Sequence, residues 1–176
     1  MSYAKLQSEI LLARDIREQV LSAYLKTIGN TLVFISTAVP GRDKAPIGIS
    51  SLFHWTLSEV EKRFSSVVWQ TDLAHDVLGP YILFSTQHDP DETKRFCIEI
   101  EETHPAARLM DLDVYSGPTQ RLGRENISFP PRRCLLCDDV ATHCIRTRRH
   151  DSEKLYAHTT RLLNNFRDTA IGWSAG

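Results

Sequence analysis

Asp111 and Asp113 stand two residues apart between apolar neighbours, in Met110-Asp111-Leu112-Asp113-Val114. On a strand, residues i and i+2 share a face, so both carboxylates would project together while Leu112 points to the core. Carboxylates held that way repel unless a cation or a proton lies between them. Mg²⁺, a hard ion that takes oxygen ligands and shares them with substrate phosphates, suits such a pair; a solvated acidic strand face is the plainer alternative. Upstream, Glu99 and Glu101 alternate with Phe96, Ile98 and Ile100, which predicts a half-buried strand over Arg95 to Glu101. If that strand neighbours the Asp pair, Glu101 is the candidate third carboxylate, with Glu99 better read as solvated. Arg108, three residues before Asp111, is placed either to grip a phosphate or to form a salt bridge with those acids. His104 is a candidate base, although a His before Pro also serves as a cap or a packing residue.

A second constellation follows. Cys134, Cys137, Cys144 and His150 give the spacing C-x2-C-x6-C-x5-H, and three thiolates with an imidazole satisfy a tetrahedral structural Zn²⁺. Reduced thiols packed beside the arginines are the alternative, because free Cys is often simply buried; a redox dithiol is a third reading. Between Arg121 and Arg149 there are seven Arg, no Lys and three acids. Arg132 and Arg133, with Arg146, Arg148 and Arg149, flank the cysteines. They could bind a triphosphate or an acidic carrier protein through bidentate contacts, or form only a solvated basic face.

Taken together, His-Pro-x-x-Arg-Leu-x-Asp-x-Asp-Val over residues 104–114 and Pro-Pro-Arg-Arg-Cys-Leu-Leu-Cys over 130–137 resemble one family. It is that of the citrate lyase holo-acyl-carrier-protein synthases, also called apo-citrate lyase phosphoribosyl-dephospho-CoA transferases (CitX). The likeness is dense from about Glu99 to His150 and thinner back to about Leu11. It implies transfer of a prosthetic group from 2′-(5″-triphosphoribosyl)-3′-dephospho-CoA to a serine of the apo-citrate lyase acyl carrier protein (the gamma subunit), with release of pyrophosphate. It also raises His104 as a site residue and implies a shared role for the cysteines. Arg14-Asp15-Ile16-Arg17 and Pro40-Gly41-Arg42-Asp43-Lys44 look like family positions too, with Lys44 matching a Lys after a Pro-Gly turn. The chain departs from the family at Ile16, where an acid is usual, at Tyr81, where Gly-Pro-Glu is typical, and at Ala107, where Gly is usual. The expected chemistry is nucleotidyl transfer, with Mg²⁺ on Asp111, Asp113 and Glu101, and with Arg132, Arg133 and Lys44 holding the donor. The competing expectation is a non-catalytic, zinc-stabilised module that docks an acidic partner through its arginines.

The elements that must position these residues follow from periodicity. Apolar residues at helical spacing predict helices over Leu6 to Lys26, Ser51 to Phe64 and Ser152 to Phe166. Short β-branched or apolar runs predict strands over Thr31 to Ser36, Ser65 to Thr71, Tyr81 to Thr86 and Asp111 to Tyr115. Asp89 to Glu92 reads as a polar turn, Ser116 to Pro118 as a strand end, residues 104–110 as a link with one helical turn, and Arg121 to Phe129 as a hairpin or loop. This order predicts an α+β fold with helices packed on a mixed sheet, akin to nucleotidyltransferases in its Asp-x-Asp strand. The 176 residues fit one domain, and a hydrophobic fraction of 41% with net charge -1 gives no reason to expect nucleic-acid binding. No apolar run reaches a membrane span and the N-terminus lacks a signal's apolar core, so a cytoplasmic protein is expected.

Overall fold

The computed structural model describes residues 3–41, 43–117 and 120–173, the last six and the first two by backbone course alone. Arg42 and Pro118 lie outside the described residues. Eleven elements run in the order α1 (Tyr3–Thr27), β1 (Thr31–Thr37), α2 (Ile49–Arg63), β2 (Val68–Trp69), β3 (Ala74–Asp76), β4 (Gly79–Thr86), α3 (Pro90–Thr103), β5 (Met110–Tyr115), β6 (Arg121–Leu122), α4 (Ala141–Arg146) and α5 (Ser152–Trp173). Two 3-10 turns, Pro105–Leu109 and Arg124–Ile127, flank β5 and β6.

The sheet order is β2-β4-β1-β5-β6, with β3 on β4. The α+β expectation holds, but every described strand pairing is antiparallel, not mixed. β1 and β4 are central and covered on both faces, so they read as near-continuous apolar runs without alternation. One face carries Val33, Ile35, Phe84, Leu112 and Val114 into the main core with residues of α2, α3 and α5. The other carries Leu32, Phe34, Tyr81 and Leu83 against Leu21 and Leu25 of α1. Burial of each such side chain contributes about 1.5–3 kcal/mol.

The principal correction concerns residues 90–103, where a turn and a strand were expected and a helix stands. Asp89 is its N-cap, accepting the N–H of Asp91 at 2.9 Å and of Glu92 at 3.3 Å. Pro90 fills the first position and two acids complement the N-terminal dipole. The buried residues Thr93, Lys94, Cys97, Ile98, Ile100 and Glu101 recur at helical spacing. The alternation of Phe96, Ile98 and Ile100 is a coincidence within it. The expected strand over Ser65 to Thr71 shrinks to β2, and β3 and α4 lie where no element was expected. No helix among the described residues is long and apolar enough to cross a membrane.

Candidate active site and cysteine cluster

β5 alternates as expected: Met110, Leu112 and Val114 are buried, while Asp111, Asp113 and Tyr115 face the α1 side. Register places Asp111 opposite Ser36 and Asp113 opposite Phe34. Both carboxylates open into a cavity of about 600 Å³, whose lining includes Arg14, Arg17, Lys44 and Arg121. Arg121, on β6, donates to Asp113 Oδ1 at 2.6 Å. Arg132 stands 3.5 Å from Asp111 Oδ1. Burial, then repulsion from Asp111, pushes the Asp113 carboxyl up to about 6, against the pull of Arg121 and Lys94. The pair is thus strained by its own charge, on one face of a rigid strand, and opens into a cavity lined by cations.

The cavity walls are fixed by Arg17. Its guanidinium donates to both Asp76 oxygens at 2.7 Å and to the Gly79 carbonyl at 2.8 Å. It also lies 4.4 Å from the Tyr81 ring centroid, so Tyr81 serves as its stacking platform. Gly79 has φ +100°, and a Cβ there would meet Thr37 Oγ1 at 2.8 Å and the Lys44 carbonyl at 3.2 Å. Only glycine lets β4 begin so close to the Lys44 loop. Lys44 Nζ donates to the Val39 carbonyl at 2.7 Å. Burial, then the charge of Arg14, lowers its pKa.

Glu101 is not beside the Asp pair on a neighbouring strand. It is buried on α3, and its oxygens accept from the Leu112 N–H at 3.0 Å, Arg124 at 2.9 Å and Arg132 at 2.7 Å. With its acceptors committed, it holds Arg132 toward Asp111 and is corrected from metal ligand to positioning residue. Glu99 is exposed on the same helix. His104 Nδ1 accepts the Ala106 N–H at 3.0 Å and its ring meets Trp55 and Phe166 edge-on. It is the cap and packing residue of its alternative reading. Burial lowers its pKa. Arg108 neither pairs with those acids nor lines the Asp cavity; it donates to the carbonyls of Arg133 at 2.7 Å and Cys134 at 2.8 Å, anchoring the cysteine segment. Arg133 is exposed and donates to the Asp138 carbonyl.

The cysteine segment folds as the spacing implied. Ligand atoms of Cys134, Cys137, Cys144 and His150 all lie within 4.8 Å of one another. Cys137 Sγ is 3.6 Å from Cys144 Sγ and 3.3 Å from His150 Nε2. Four ligands at zinc bond lengths around a tetrahedron stand about 3.3–3.8 Å apart, so this Cys3His cluster can hold a metal ion such as zinc. The Leu136 N–H points at Cys134 Sγ at 3.5 Å. Burial raises the Cys134 thiol, but the N–H groups of Leu136 and Cys137 and the neighbouring thiols outweigh it, and its pKa falls. Cys97 is buried apart from the cluster on α3.

Arg14 and Arg121 line the cavity, although the sequence alone assigned neither a role in it. Arg14, Arg17, Glu18 and Leu21 share one helical face, and all four line the cavity; that spacing was a readable signal. Arg121 carried none beyond its charge, since its place depends on the β5–β6 pairing.

An α+β domain that combines a cationic, carboxylate-bearing cavity with a cysteine-histidine cluster is matched over residues 6–166 by the family model described as apo-citrate lyase phosphoribosyl-dephospho-CoA transferase (CitX). Proteins bearing that name from Shigella flexneri serotype 5b and Escherichia coli O1:K1 are each 31% identical over 160 residues. The alignments cover 89% of this chain and 87% of each relative. A protein of the same name from Shigella boydii serotype 18 is 30% identical over the same length. The chain belongs to the CitX family.

Proposed function

We propose that this protein transfers the phosphoribosyl-dephospho-CoA group from its triphosphate donor to a serine of the apo-citrate lyase acyl carrier protein. The observation that carries the reading is the Asp111–Asp113 pair, facing a cavity ringed by Arg14, Arg17, Lys44 and Arg121. Family membership supplies the substrate class. In the step, the serine oxygen forms a bond to the donor's α-phosphorus while the bond to pyrophosphate breaks. Arg14, Lys44 and Arg121 neutralise the phosphate charge, and Arg121 can exchange its Asp113 contact for a phosphate oxygen. A carboxylate oxygen of the pair accepts the serine proton. Asp111 and Asp113 would hold Mg²⁺, which would supply charge neutralisation at the phosphates. Arg132, held by Glu101, adds a cation on the other side of Asp111. Zn²⁺ in the Cys3His cluster is structural, fixing a segment whose Ile145 is 75% exposed and which buries little apolar surface of its own.

The binding-module reading leaves a half-buried, mutually repelling carboxylate pair without a purpose, and no observation favours it. The test is pyrophosphate release from the donor in the presence of carrier and Mg²⁺. Asp111→Asn should abolish it with the far-ultraviolet spectrum unchanged; full activity in that variant would remove the pair from the mechanism.

A further inference from the structure

A second cavity, of about 790 Å³, lies between the cysteine segment and the first turn of α5. Its size suits a cofactor-sized organic ligand. Leu135, Ile145 and Leu155 give it apolar walls, and Arg132, Arg133 and Arg148 line its rim. Three of the four cluster ligands, Cys134, Cys144 and His150, also line it. The cavity adjoins the Asp cavity: Ala38 lines both, and Arg132, on its wall, reaches to 3.5 Å from Asp111. Arg148 has φ +48°, a left-handed conformation that costs a non-glycine residue about 1 kcal/mol or more and recurs at binding sites. Its side chain makes no hydrogen bond or ion pair with the described residues.

A polyphosphate has no use for apolar walls, and the Asp cavity already offers it cations. We propose that this second cavity is the subsite for the dephospho-CoA portion of the donor. The adenine lies against Leu135, Ile145 and Leu155, and the 5′-diphosphate meets Arg148 and Arg133. The donor then runs past Ala38 and Arg132, bringing its triphosphate to Asp111 and Asp113. This rests on the transferase reading and adds where the unreactive part of the substrate is held. It also gives the cysteine cluster a second consequence, because its ligands form a wall of the subsite.

The test is calorimetric titration of 3′-dephospho-CoA, which lacks the reacting triphosphate, into the protein as purified, without added Mg²⁺. Ile145→Glu with Arg148→Asn changes two exposed residues, and Asn tolerates the left-handed backbone. The double variant should bind dephospho-CoA at least about tenfold more weakly, losing one apolar and one charged contact. Its affinity for tripolyphosphate should stay within about twofold, since that probe uses the other cavity. Hydrogen exchange on the wild type needs no variant: dephospho-CoA should protect amides between Cys134 and Leu155. Unchanged dephospho-CoA affinity in the double variant overturns the proposal, as does protection confined to β5 and β6. Loss of carrier binding alone in the double variant would also overturn it, assigning the surface to the carrier. Wild-type protein that binds dephospho-CoA here but releases no pyrophosphate would refute the transferase reading and leave the subsite standing.

Discussion

Asp113→Asn separates a site kept for chemistry from one kept for stability. The Asp113 carboxyl is held at about 6 in the fold against 3.8 for an ordinary Asp, by burial and by Asp111. Because the folded pKa is the higher, the folded state binds the proton more tightly. Stability from this group is therefore full below pH 3.8 and lost as pH rises through 6. Across that window the loss is about 3 kcal/mol. Asn keeps the shape and removes the charge, and the attraction of Arg121, whose side chain is 59% exposed, is already contained in the Asp113 value of about 6. The variant should thus be more stable than the wild type by about 3 kcal/mol at pH 7.5 without divalent cations. The advantage should vanish near pH 4. Urea denaturation at the two pH values, in chelator, measures it. Added Mg²⁺ should stabilise the wild type by about 2.7 kcal/mol at a hundredfold excess over its dissociation constant, and the variant far less. A variant less stable than the wild type at pH 7.5 would contradict the electrostatic reasoning and mark Asp113 as a structural residue.

Glu101→Gln should behave oppositely, losing about 3–5 kcal/mol because it leaves Arg124 and Arg132 without their buried partner; the thermal midpoint measures it. Replacing Arg132 and Arg133 together with Ala should weaken capture of donor or carrier, and added salt should weaken it further in the wild type; equal affinity for both ligands in the double variant would reduce the pair to a solvated face. Purified protein should carry about one zinc per chain. A chelator should raise hydrogen exchange from Pro130 to His150 while sparing α1 and β1, and metal-free protein with unchanged exchange would show that packing alone fixes the segment.

The central strands, the Asp-x-Asp face and the Cys3His cluster were legible because each is local. Alternation from Met110 to Tyr115 requires only a strand, and a zinc site's ligands must come close whatever the rest does. Residues 90–103 were misread because Phe96, Ile98 and Ile100 alternate as on a strand, while the helical face runs through Thr93, Cys97, Ile100 and Glu101. The Asp89-Pro90 start, with acids in the first turn, was the deciding signal. That error carried Glu101 into the metal site, since two helical carboxylates cannot reach a strand face in the way two strand carboxylates can. Arg108 and His104 lie beside the Asp pair in sequence, yet the Pro105–Leu109 turn directs one to the cysteine segment and the other to Trp55 and Phe166. Arg121 reaches Asp113's cavity only through the β5–β6 pairing, which spacing alone does not encode.

The most direct test of the transferase account is the intact mass of the apo-citrate lyase acyl carrier protein after incubation with this protein, triphosphoribosyl-dephospho-CoA and Mg²⁺. The carrier should gain the mass of one phosphoribosyl-dephospho-CoA group at a serine, with one pyrophosphate released per carrier and neither product formed by Asp111→Asn. An unmodified carrier under conditions where the donor is bound would contradict it.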